Sequence, residues 1–165
     1  ALTINAYLGS DCVDPFLEDC ERYKKGMFIL VKTSNPSSSE FQDILTSEGK
    51  YLYQVVAQKV KQWGNKLKGK YGYSDIGAVV GATQPHTADI LRDVLQDCFF
   101  LVPGIGVQGG SVSDLKKFMD KNRSGILVNS SRDIIYAYKK YFHNDFEKSS
   151  YLASKDLKEM INSII

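Results

Sequence analysis

An α/β fold built on a parallel sheet is what this chain predicts, and three observations carry the prediction. Five short apolar runs recur along it, each closes on turn-forming or small polar residues, and the stretches between carry helical spacing. Continuous apolar strands joined by crossovers long enough for a helix fit a parallel sheet buried on both faces.

The elements follow in order. The first run, Leu2 to Tyr7, leads to Gly9, and the second, Met27 to Lys32, opens directly into KTSNPSSSEFQDILTSEGK, residues 32–50. That segment, rich in Ser, Asn and Pro, reads as a functional or flexible loop. Tyr51, Val55, Val56, Val60 and Trp63 then fall on one helical face. A third run, Ile76 to Val80, precedes a second helical pattern at Ala88, Ile90, Leu91, Val94 and Leu95. The runs Cys98 to Val102 and Ile126 to Val128 complete the set. A last helix over about 149–164 sets Leu152, Leu157, Met160 and Ile161 against a charged face, as a packing helix does.

Composition narrows the function classes. With 165 residues, 43% of them hydrophobic, the chain can bury one core, so a single unit is expected. A net charge of +2 is too small to argue for a nucleic-acid or membrane surface. No apolar run approaches the roughly 18 residues of a membrane span, and no leader pattern is visible, so a cytoplasmic protein is expected. Cys12, Cys20 and Cys98 form no C-x-x-C pair, which argues against a disulfide framework or a zinc site. No metal or cofactor is expected. The chain opens on a strand-like run without Met, and we expect it to be part of something longer.

In parallel α/β sheets chemistry gathers beyond the carboxyl ends of the strands. Those ends read NAYLG (5–9), KTSNPSS (32–38), GATQPH (81–86), PGIGVQGG (103–110) and NSSRDI (129–134). The loop from Gly104 to Gly110 can turn successive backbone N–H groups toward an anion, and Ser111 or Ser113 can cap a following helix. A tight turn with no ligand is the plain alternative. The spacing Gly104-x-Gly106-x-x-Gly109 matches a dinucleotide fingerprint, yet the acidic residue due about 20 positions on is Asn129. A phosphate-binding P-loop lacks its Lys-Ser/Thr ending. Ser130, Ser131 and Arg132 instead offer a second anion site at the next helix start, with Arg132 as a bidentate fork. Two consecutive sites of this kind match the last two strands of a (β/α)8 barrel, which favours a phosphate monoester over a dinucleotide. Lys32 and Ser34 sit where strand-end residues can face the same cavity. For His86 and His143 loop and surface roles are expected, and for the run DLKKFMD (114–120) a solvated ion-pair face.

In this order the strand ends resemble orotidine 5'-phosphate decarboxylase. VPGIGVQGG looks like that family's phosphate loop after the seventh barrel strand and VNSSRDI like its phosphate-binding end of the eighth; LVKTSNPSS resembles its pyrimidine-contacting segment, and LTINAYLG its fourth strand. The resemblance implies a fold that is the C-terminal portion of a (β/α)8 TIM barrel, with five parallel strands and intervening helices. It implies phosphate contacts from Gly106, Gln108, Gly109, Ser131 and Arg132. Pyrimidine or substrate contacts would come from Asn5, Lys32, Ser34, Pro103 and Gln108, with Gln108 bridging the two groups.

Two positions depart from the family pattern: Val107 stands where Ala is usual, and Asp133 where Gly is usual. Asp133 places a carboxylate beside the expected phosphate, which is repulsive unless it points away. The family's D-x-K-x-x-D motif, whose carboxylates crowd the leaving CO2 while the Lys protonates the carbanion, does not occur here. Asp114, Lys116 and Asp120 have other spacing. The resemblance therefore implies a C-terminal part that binds orotidine 5'-monophosphate or UMP, lacks a catalytic residue of its own, and works with an N-terminal barrel segment in a homodimer. Two rival readings are a non-catalytic nucleotide- or sugar-phosphate-binding module and a flavodoxin-like cofactor binder.

Overall fold

The computed structural model describes residues 1–106, 109–142 and 144–165. Its first half comprises β1 (Leu2–Ile4), α1 (Ser10–Tyr23), β2 (Met27–Lys32), a 3-10 turn at Pro36–Ser38, α2 (Ser39–Gln42) and α3 (Leu52–Gly64). The second comprises β3 (Ser74–Val80), α4 (Pro85–Val94), β4 (Cys98–Pro103), a 3-10 helix at Val112–Phe118, β5 (Ile126–Asn129), α5 (Arg132–Ile135), a 3-10 turn at Ala137–Lys139 and α6 (Phe146–Asn162). Among the described residues no helix is long and apolar enough to cross a membrane.

All five strands lie in one sheet whose spatial order is the chain order, and every pairing is parallel. Right-handed crossovers between neighbours put each helix on the same face. Burial follows from that: Met27, Ile29 and Val31 of β2, Ile76, Ala78 and Val80 of β3, and Cys98, Phe100 and Val102 of β4 are all buried. They form one core with Val13, Ala57, Val60, Leu91, Leu115 and Phe118 from the crossovers. The alternate residues Phe28, Leu30, Phe99 and Leu101 are half-buried, and Leu127 is exposed. A sheet coated on one side, with sequential strands, is the C-terminal portion of a (β/α)8 barrel. The flavodoxin-like alternative is overturned, because that architecture reverses strand order at a switch point and carries helices on both faces.

Boundaries differ from expectation where side chains intervene. The first strand stops at Ile4 rather than Tyr7, because the Asn5 carboxamide accepts from the Tyr7 N–H at 2.9 Å and turns the chain. Helix α1 has no counterpart among the expected elements: Pro15 and its many charges obscure a stripe of buried Val13 and Cys20 with half-buried Leu17. Helix α6 starts at Phe146, earlier than 149, since the Asp145 carboxylate accepts from the Lys148 N–H at 2.9 Å and caps it. The segment 32–50 is partly ordered by the Pro36–Ser38 turn and α2.

At the amino ends of the strands Arg92 is buried and donates to four carbonyl oxygens, those of Leu95, Cys98, Phe118 and Gly125. Its guanidinium lies 3.6 Å from the Phe100 ring centroid. Burial pushes its pKa down to about 10, so it remains cationic at neutral pH. Beside it, the Asp120 carboxylate accepts from the Tyr73 hydroxyl and from the N–H groups of Asn122 and Ser124 at 2.8 and 3.0 Å. Burial alone would raise the Asp120 carboxyl; the hydrogen bonds from Tyr73, Ser124 and Asn122 outweigh it and hold the group below the usual carboxylate range. Asp120 is thus a loop anchor, and only Asp114 and Lys117, 3.4 Å apart, form the surface pair expected of that run.

Candidate functional site

The carboxyl ends of β4 and β5 enclose a small cavity of about 60 Å³ lined by Pro103, Gly104, Ile105 and residues 129–133. Parallel pairing brings its walls together: Pro103 is in register with Asn129, so the two following loops leave the sheet side by side. Arg132 is exposed and, among the described residues, its guanidinium carries no ion pair. Ser131 accepts from the Asn129 carboxamide at 3.3 Å. Pro103, Ser131 and Arg132, three of the expected site residues, therefore share one cavity.

The glycine loop has a different internal logic from the one expected. Gly106, at φ +86°, turns the chain where an L residue would be strained. The N–H groups of Gly106 and Gly109 donate within the loop, to the Gly110 and Gly106 carbonyls at 3.2 and 2.7 Å, and the Gly110 N–H donates to Gly104 at 3.0 Å. In this state these three N–H groups shape the turn. The segment that follows is a 3-10 helix, with the Ser111 hydroxyl accepting from the Ser113 N–H at 3.3 Å, and α5 has only four residues. Neither supplies the long dipole that a full helix would. The positive charge in the cavity lining comes from Arg132, with the Asp133 carboxylate next to it in the chain. Gln108, Val107 and His143 lie outside the described residues.

The neighbouring strand ends are tied to this cavity through Gly81 and Ala82. A Cβ on Gly81 would come within 2.6 Å of the Ser34 nitrogen, and its N–H donates to the Lys32 carbonyl at 2.7 Å. Ala82 donates to the Pro103 carbonyl at 2.8 Å and packs under Gly110. Ser34 is thus held one loop away from Pro103. Lys32 does not open onto the cavity as expected: its side chain is 1% exposed, and its ammonium meets the Asp43 carboxylate at 2.7 Å and the Tyr53 ring at 5.6 Å. Gln42 reinforces that tie by accepting from the Thr33 N–H at 2.9 Å and donating to the Thr33 hydroxyl at 2.7 Å. Asn5 spends its carboxamide on the turn at Tyr7, and His86 is exposed in the first turn of α4 rather than in a loop.

Sequence reasoning passed over Asp43 and Lys140, and it named Gly81 and Ala82 only as part of the strand end GATQPH. The small pair Gly81-Ala82 at a strand end was the one local signal of close loop packing. Lys140 pairs with Asp133 at 3.2 Å, and nothing local announced it.

Comparison with known proteins places the chain in a family. A family model described as "Orotidine 5'-phosphate decarboxylase / HUMPS family" matches residues 1–140. Proteins named orotidine 5'-phosphate decarboxylase from Caldicellulosiruptor bescii and Caldicellulosiruptor saccharolyticus are 66% and 67% identical over all 165 residues, which are 54% of each relative's length. The chain thus spans about half the length of these curated relatives. A solved structure of Leishmania donovani UMP synthase superposes with a TM-score of 0.76 at 34% identity, over 98% of this chain and 32% of that one.

Proposed function

The chain belongs to the orotidine 5'-phosphate decarboxylase / HUMPS family, and from that premise we propose that it supplies the phosphate and pyrimidine contacts for decarboxylation of orotidine 5'-monophosphate to UMP. The observation that carries this reading is the Arg132 cavity at the carboxyl ends of the last two strands, where barrels of this kind hold phosphate. Arg132 and Ser131 grip the 5'-phosphate, Gly106, Gln108 and Gly109 are its further contacts, and Pro103 lines the ring. Ser34 reads the base edge, with Asn5 at the adjoining strand end. Lys32 acts one step back: locked to Asp43, it holds the segment that presents Ser34.

Gripping the phosphate far from the reacting carbon lets binding energy serve the chemical step. In that step the bond between the ring and its carboxylate breaks, CO2 leaves, and the ring carbanion takes a proton. The acid and lysine groups for it belong to the family's D-x-K-x-x-D motif, which is not among residues 1–165. Within this reading an N-terminal barrel segment carrying that motif completes the sheet between the free edges of β1 and β5, and the working unit is a cytoplasmic homodimer. By itself the chain binds and does not decarboxylate.

The decisive experiment pairs this chain with the family's N-terminal barrel segment and measures UMP binding by calorimetry. Arg132→Ala is expected to weaken UMP at least tenfold and leave uridine unchanged. Equal affinity for UMP in both proteins would remove the phosphate assignment. Decarboxylation by residues 1–165 unaided would remove the division of labour.

A further inference from the structure

Asp133 follows Arg132 directly, and its carboxylate does not point away from the cavity. One oxygen, Oδ2, lies where a Cβ of Gly106 would be; the other, Oδ1, accepts from the Lys140 ammonium at 3.2 Å. The Asp133 side chain is only 24% exposed, whereas that of Lys140 is 67% exposed. An anion is thus held between the glycine loop and an exposed surface cation, on the wall of the same 60 Å³ cavity that Arg132 lines.

Resting on the phosphate reading above, we propose that Asp133 and Lys140 form a specificity-setting pair for this site. The Asp133 carboxylate packs on the flank of Gly106 and opposes entry of a dianion, and Lys140 neutralises it so that a phosphate monoester can still bind. Like charges in a partly enclosed cavity repel far more strongly than in water. The opposition acts on the charged phosphate and not on a neutral nucleoside. Lys140 is then one of the groups that set how much of that repulsion a phosphate feels. Gly106 is doubly constrained, since a side chain there would be strained at its positive φ and would collide with Asp133.

The test uses the same completed barrel and calorimetric titration with UMP, inorganic phosphate and uridine. Asp133→Asn, which keeps the shape and removes the charge, is expected to tighten UMP and phosphate at least threefold and leave uridine unchanged. Lys140→Met is expected to weaken UMP at least threefold, and to do so much less in the Asp133→Asn background. An Asp133→Asn protein that binds UMP unchanged or more weakly overturns the proposal, as does an equal change for uridine. Arg132→Ala, run alongside, separates the failures. If it weakens UMP while Asp133→Asn does nothing, only the role of the pair falls; if it too leaves UMP untouched, the phosphate reading falls first.

Discussion

The two ends of the sheet make opposite use of an arginine. At the amino ends, Arg92 is buried and spends its donors on four backbone carbonyls. At the carboxyl ends, Arg132 is exposed beside a small cavity with its fork uncommitted among the described residues. Cavity size points the wrong way: the hollow beside Arg92, Tyr73 and Asp120 holds about 370 Å³, and an apolar one lined by Phe28, Gly77 and Phe99 about 630 Å³, against about 60 Å³ around Arg132. A group whose hydrogen bonds are all satisfied internally has nothing left for a ligand. Uncommitted donors, more than volume, mark the candidate site, in keeping with the division of such barrels into a stabilising face and a chemical one.

Substitutions sharpen this contrast, and the largest effect is expected at the amino end. Arg92→Met removes five hydrogen bonds from a charged donor, each worth roughly 1.5–3 kcal/mol; the Leu95 and Gly125 carbonyls keep the N–H groups of Cys98 and Phe100, but the change should still cost at least about 3 kcal/mol in urea denaturation. A loss below about 1 kcal/mol would mean that the carbonyls find other donors. Next comes Lys32, the exception at the carboxyl end because its charge is already committed. Asp43→Ala leaves that ammonium buried without its carboxylate and should cost about 1.5–3 kcal/mol, together with faster proteolysis of the segment 33–50.

Asp120→Asn should cost about 1–3 kcal/mol at pH 7. Its native carboxyl is held below the ordinary range, so its contribution is complete above the unfolded value of about 4 and disappears as pH falls through the native one. The gap between the two proteins should therefore close in denaturation curves taken at pH 5, 4 and 3; a gap constant with pH would assign the effect to packing. The smallest stability effect belongs to Arg132→Ala, within about 0.5 kcal/mol for a surface change, even as its UMP affinity falls. A large destabilisation there would erase the distinction between the two ends.

Much of this arrangement was legible in the sequence because it is local. Apolar runs separated by helical patterns announced a parallel α/β sheet, and NSSRDI and PGIGVQGG at consecutive strand ends placed Ser131, Arg132 and Pro103 around one cavity. What escaped depends on residues far apart in the chain. Arg92 reaches carbonyls up to 33 residues away, and Tyr73 meets Asp120 across 47. The same distance effect hid the partner of Lys32: nothing at a strand end reveals that Asp43 will arrive 11 residues later and close off its ammonium. The glycine pattern promised donors to an anion, but backbone hydrogen bonds within the loop take up the N–H groups of Gly106, Gly109 and Gly110.

Strand order has one more consequence, for how the molecule comes together. Because each strand pairs with those adjacent in sequence, every new β-α unit docks on the one made just before it, and loop closure stays short at each step. Assembly can then run outward from any interior pair, as in stacked-repeat proteins. A cut between units leaves each side with most of its native neighbours. Such a sheet can be divided at a unit boundary without breaking any β-α unit.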